Sequence, residues 1–145
     1  MTIETKLQIE ALKILDRGEK APCYAKDEEC FFLALNGTYI FRICDEPFSL
    51  NPEVLNEVPS LTSHFKSSNI LGTQELTVTN EMRKLDNAVG VLLKCDDFTT
   101  CIDEKFLKMF MDRSCKLYAK DEKSVIYFFR NNKIYAAVMP ISLKK

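Results

Sequence analysis

Five consecutive residues of this chain occur twice. Tyr24-Ala25-Lys26-Asp27-Glu28 returns letter for letter as Tyr118-Ala119-Lys120-Asp121-Glu122. An apolar run follows each copy, Cys30 to Leu35 in the first and Val125 to Phe129 in the second. A turn pair comes next, Asn36-Gly37 or Asn131-Asn132, and then a second apolar run, Thr38 to Ile43 or Lys133 to Ile141. Asn and Gly tolerate the positive φ that tight hairpins require, so each copy predicts a β-hairpin. The likeness extends upstream, where Asp16-Arg17 and Asp112-Arg113 each end a stretch of helical period. Leu7, Ala11, Ile14 and Leu15 share one side of the first helix, and Phe106, Leu107, Phe110 and Met111 share one side of the second. The repeating unit is helix, short loop, strand, turn, strand, and it predicts an internal duplication.

That unit bounds the fold. The expectation is one α+β domain over 1–145, with a first half at about 1–50, a connecting segment at about 51–88 and a second half at about 89–145. An antiparallel sheet packs on two main helices. Within the connecting segment, Asn51-Pro52-Glu53 predicts a short helix through Val58. The polar stretch from Ser60 to Gly72 reads as a loop, Glu75 to Thr79 as a strand, and residues 80–88 as unassigned. Val89 to Cys95 and Phe98 to Ile102 read as strands entering the second helix, capped by Asp103 or Thr100.

Composition matters mainly for what it excludes. Only one His (His64) and four glycines are present, which argues against nucleophile–base pairs and Gly-rich phosphate loops. The acidic pairs Asp27-Glu28, Asp96-Asp97, Asp103-Glu104 and Asp121-Glu122 lack a convergent partner, and adjacent strand residues face opposite ways. No catalytic residue, metal site or cofactor is therefore expected. The six cysteines include no C-x-x-C, and the charged start MTIETKLQIE lacks a signal-peptide core. The expectation is reduced, mostly buried thiols in a cytoplasmic protein without a membrane partner.

The second half resembles a known family. Val89 to Lys145 runs strand, Ile102-Asp103-Glu104-Lys105-Phe106-Leu107, helix, a Tyr-x-x-Asp strand, hairpin, and the ending Val138-Met139-Pro140-Ile141-Ser142-Leu143. This is similar to the last half-domain of the bacterial DNA sliding clamp, the β subunit of the replicative polymerase, which characteristically ends V-M-P-apolar-x-L. Clamp domains are themselves internally duplicated. Ser142 stands where that family often has Arg, and one domain would need six copies to close a ring. The resemblance implies a non-enzymatic, clamp-like replication accessory protein that self-associates as a ring or dimer. It implies weak, sequence-independent contact with double-stranded DNA and recognition of polymerase or other replication-protein peptides. A monomeric interaction module of phage or mobile-element origin, with the fold but no ring, is the alternative.

Candidate site residues follow. Lys6, Lys13, Arg17 and Lys20 cluster opposite the apolar side of the first helix, and Lys105, Lys108 and Lys116 cluster on the second. Such cations suit phosphate contact without base reading. Anions interleave with them: residues 3–20 hold four cations and four anions, and residues 103–116 hold four and three. By the resemblance, Val138, Met139, Pro140 and Leu143 border a groove for partner peptides. A Met beside a Pro at a strand end suits adaptable apolar recognition.

Overall fold

The structure is a computed structural model and describes residues 2–35, 39–44, 47–111 and 114–142. It is α+β and falls into two compact units, Met1–Lys66 and Ser67–Lys145. The connecting segment expected at 51–88 is thus shared between them.

The first unit opens with α1 (Ile3–Asp16), where the Thr2 side chain accepts a hydrogen bond from the Thr5 N–H. Such a cap satisfies one of the amides that no carbonyl in the helix can reach. The face it buries is not wholly apolar: Glu4 and Gln8 lie among Leu7, Ala11 and Ile14. Strands β1 (Cys23–Lys26), β2 (Phe31–Ala34), β3 (Tyr39–Ile43) and the two-residue β4 (Asn56–Glu57) follow. They stand in the order β4-β1-β2-β3, with β1 parallel to β4 and the other pairs antiparallel. The Asn36-Gly37 turn lies outside the described residues. The helix expected from Pro52 to Val58 is only a 3-10 turn, Pro52–Val54, because the chain then extends into β4. The stretch expected as a polar loop holds 3-10 turns at Pro59–Phe65 and Ser67–Ile70. Phe65 explains the first of these. It is buried against Phe32, and the Arg42 guanidinium lies over both rings while donating to the Phe65 carbonyl.

The second unit contains β5 (Gln74–Lys84), β6 (Val89–Lys94), β7 (Thr99–Asp103), α2 (Glu104–Phe110), β8 (Lys116–Ala119), β9 (Ile126–Arg130) and β10 (Lys133–Val138). Their order is β10-β9-β8-β5-β6-β7, antiparallel throughout. Residues 80–84, unassigned from sequence, belong to β5. This long strand pairs with β8 only through Gln74–Leu76 and with β6 beyond, across a bulge between Val78 and Met82. Asp103 caps α2, its side chain accepting from the Lys105 N–H, and the helix packs on β6 and β7. It stops at Phe110, whose carbonyl takes a hydrogen bond from the Tyr135 hydroxyl.

Both units share one run of elements, a helix followed by three antiparallel strands. Their first strand pairs share a register: Tyr24 faces Leu33 and Tyr118 faces Tyr127 at the same interval. The repeated Asp plays one role twice. The Asp27 carboxylate accepts from the Glu29 and Cys30 N–H groups, and the Asp121 carboxylate accepts from the Lys123 N–H and the Ser124 hydroxyl. The later hairpins differ, since β10 is bulged between Ile134 and Ala136. Asn131 and Asn132 take the positive φ values of 53° and 62° that the turn demands.

Candidate partner-binding cleft

A cleft of about 580 Å³ opens in the second unit, lined by Thr99, Thr100, the turn residues Glu122 and Lys123, and the segment Met139–Ser142. Three local rules build it. First, β7 is the last strand of its sheet, so one of its edges has no strand partner among the described residues. Second, the Asp121 carboxylate pins the turn between β8 and β9, while the buried Thr100 hydroxyl reaches across to the Glu122 carbonyl at 2.9 Å. Third, Pro140 ends regular pairing, because it has no N–H to contribute. The chain leaves β10 and runs beside β7 instead, where the Ile141 N–H donates to the Cys101 carbonyl at 2.8 Å.

That bond sets the chemistry of the wall. Backbone groups of an antiparallel strand face outward on alternate residues. With the Cys101 carbonyl pointing away from β6, the Thr99 main chain faces the same open side. The cleft thus joins an unpaired strand edge to an apolar lip. Met139 forms the lip and is 46% exposed, while Val138 is fully buried at 0%. Electrostatics are mild, with one acid and one base on the same turn. Hydrogen bonds from Ser124 and from the Lys123 N–H hold the Asp121 carboxyl below its ordinary range and keep that turn charged and closed.

Of the groove residues named from sequence, Met139 and Pro140 line the cleft. Val138 is core beneath it, and Leu143 lies outside the described residues. Thr99, Thr100, Glu122 and Lys123 were not foreseen. One signal for them existed, because the repeated pentapeptide ends at Glu122 and its Asp121 forces the turn that makes the wall.

The candidate DNA-contact residues are scattered over several elements. Lys6 and Lys13 are exposed on α1, Arg17 is its C-cap, and Lys20 lies beyond the helix. Lys105 and Lys108 are exposed on α2, but Lys116 belongs to β8, so the second cluster is not one helix face. The helical period carries through Met111 on paper, yet the backbone there is already extended. Carboxylates occupy several of these cations. Arg17 pairs with Glu19 at 2.8 Å, Lys105 with Asp103 at 3.8 Å, Lys108 with Glu104 at 3.3 Å and Lys116 with Glu75 at 3.9 Å. Exposed pairs of this kind contribute little stability, but each partly neutralises a phosphate-binding group. Among the described residues, Lys6, Lys13 and Lys20 make no such pair.

The thiol expectation needs correction. Cys30 and Cys44 are joined by a disulfide with Cα atoms 4.8 Å apart. They follow directly from the Phe31–Ile43 pair of β2 and β3, which brings them opposite each other. Cys101 and Cys115 are buried thiols, and Cys23 and Cys95 are half-buried ones. Burial raises the Cys101 thiol above its usual range. No helix among the described residues is long and apolar enough to cross a membrane.

No protein-family model, no curated protein and no solved structure matches this chain.

Proposed function

We propose that this protein is a non-enzymatic, clamp-like replication accessory module whose cleft beside β7 holds an extended partner peptide. The observation that carries this reading is the pairing of an open strand edge at Thr99 with the exposed Met139 and the half-buried Pro140 beside it. A peptide laid there adds a strand through main-chain hydrogen bonds and places an apolar side chain against Met139 and Ile141. The shared register of the two strand pairs, and the Asp turn that closes each, support reading the units as copies of one ancestral half-domain. Self-association and weak contact with double-stranded DNA through Lys6, Lys13 and Lys20 belong to the same reading. In it, Arg17, Lys105, Lys108 and Lys116 contribute less, because carboxylates hold them.

The test is a selection from a heptapeptide display library on the full chain, followed by fluorescence anisotropy with the selected peptide. Binding in the micromolar range or tighter is expected, and Met139→Lys and Thr99→Pro are expected to weaken it at least about tenfold, the equivalent of about 1.4 kcal/mol. Selected peptides whose affinity ignores both substitutions would refute the assignment of the cleft.

The second reading is a monomeric interaction module without a DNA ring. The four ion pairs on candidate cations favour it. Sedimentation at high micromolar concentration separates the two: a strictly monomeric species supports the second.

A further inference from the structure

The disulfide of the first unit holds more than two strands. Cys30 sits in the turn after the first pentapeptide, where its N–H reaches the Asp27 carboxylate at 2.7 Å. Cys44 follows β3, and its N–H reaches the buried Glu4 carboxylate at 2.5 Å. One turn of helix further along α1, Gln8 takes the next stretch of the same segment by its backbone. Its amide oxygen accepts from the Ser49 N–H at 2.6 Å, and its amide nitrogen donates to the Pro47 carbonyl at 3.0 Å. Phe48 lies flat on Phe31, with ring centroids 4.1 Å apart, and Leu50 is buried. The polar stripe of α1 therefore grips a segment whose start is fixed by the disulfide.

We propose that Cys30–Cys44 is a reversible thiol–disulfide exchange site whose state sets how firmly α1 and residues 47–50 are held. Three features make it an exchange site. Cys44 is exposed while Cys30 is 5% exposed, so an incoming thiolate has one sulfur to attack. The β2–β3 main-chain pairing sets both cysteines opposite each other, so opening the bond leaves them positioned to close again. At the place of Cys30 after the second pentapeptide stands Ser124, which donates to Asp121, and among the described residues the second unit has no disulfide. The second unit is thus a control within the same chain.

The reagent is a small thiol of the glutathione class. Its thiolate attacks the Cys44 sulfur, the S–S bond breaks, and Cys30 leaves as a thiolate that takes a proton from water. A second thiol attacks the reagent's sulfur in the mixed disulfide and releases Cys44. In sum, one protein disulfide and two thiols give two protein thiols and one small-molecule disulfide. Opening removes a cross-link across fourteen residues of sequence separation and frees the unfolded segment to spread.

The experiment uses the full folded chain in millimolar reduced or oxidised glutathione, with thiols counted by alkylation and mass spectrometry. Hydrogen exchange is followed in both states. The reduced state should expose Cys30 and Cys44 to alkylation. Its α1 and 47–50 amides should exchange of the order of a hundredfold faster, while β8 to β10 are unchanged and oxidised glutathione reverses the effect. Cys44→Ser should match the reduced pattern under both conditions. A bond that resists glutathione until the chain is unfolded in urea would overturn the proposal. So would α1 exchange that is the same in both states, or a Cys44→Ser protein that exchanges like the oxidised one.

Discussion

Gly90 offers the sharpest test of how the second unit is packed. It is buried on β6, and a Cβ placed there would lie 2.4 Å from the Cys101 Sγ on β7. The same Cβ would sit 3.8 Å from Ile141 Cδ1, which is ordinary contact. The clash is therefore with one sulfur, and that sulfur is 0% exposed. Overfilling a packed core costs about 1–3 kcal/mol, while Gly→Ala returns about 0.4–1 kcal/mol through the unfolded chain. Gly90→Ala should then destabilise by about 1–2 kcal/mol. Urea unfolding, followed by far-ultraviolet circular dichroism, would show it as a lower midpoint at unchanged slope. Cys101→Ala removes the obstructing atom, so in that background Gly90→Ala should be neutral or stabilising, with a coupling of at least about 1 kcal/mol. The reasoning fails if Gly90→Ala costs nothing, or costs the same with and without the Cys101 sulfur. Because the Cys101 carbonyl holds Ile141, the single variant should also weaken peptide capture, and the double variant should restore it.

Other expectations can be checked separately. Burial, with Glu10 nearby, pushes the Tyr39 phenol up to about 12. The folded state therefore keeps its proton where the unfolded state loses it, so stability is intact below pH 10 and falls as pH rises toward 12. Tyr39→Phe should remove that alkaline decline in a pH series of thermal melts. Asp121 has the opposite sign: its lowered carboxyl helps only when ionised, so the benefit is present above the ordinary Asp range and lost on acidification through it. Asp121→Asn should flatten this acid limb. Lys6→Gln with Lys13→Gln should weaken binding to a duplex at low salt and shallow its salt slope by about two, whereas Lys108→Gln should change less; equal effects would contradict the pairing argument. Phe65→Ala should cost about 3–5 kcal/mol, despite its place in a stretch that reads as polar loop.

Local chemistry decides how much of this could be read in advance. The hairpins and helix starts were legible because their signals are short-range. Asn131-Asn132 accept positive φ, Asp103 can cap, and the repeated Asp closes its turn through bonds within three residues. The end of α2 was not legible, because the Phe110 carbonyl is met by Tyr135, which arrives from a distant strand. Lys116 was therefore placed on the wrong kind of element. Glu4 and Gln8 carry no short-range signal of burial, and their partners, Cys44, Pro47 and Ser49, lie about forty residues away. The disulfide was not legible: counting outward from a two-residue Asn36-Gly37 turn sets Cys30 opposite Ile43, whereas Phe31 pairs with Ile43, a register one residue away that brings Cys30 opposite Cys44. A further echo links the two units, since Pro47-Phe48-Ser49-Leu50 parallels Pro140-Ile141-Ser142-Leu143. Pro47 and Ser49 of the first are gripped by Gln8, whereas Ile141 of the second is hydrogen-bonded to β7 at the cleft.

The long strand β5 has a consequence for the protein's behaviour in a crowded solution. Past Leu76 it has no strand on its outer side among the described residues, and Val78 and Met82 lie 41% and 50% exposed there. An open ribbon of that length is a template on which further chains can polymerise. Two features work against this. The bulge between Val78 and Met82 is fixed by the Thr79 hydroxyl, which donates to the Leu92 carbonyl and accepts from the Glu81 N–H. The charged side chains of Glu81, Arg83 and Lys84 then meet any incoming strand. A bent and charged arm is a poor template for such growth, and replacing those three charges with Thr should promote fibril formation.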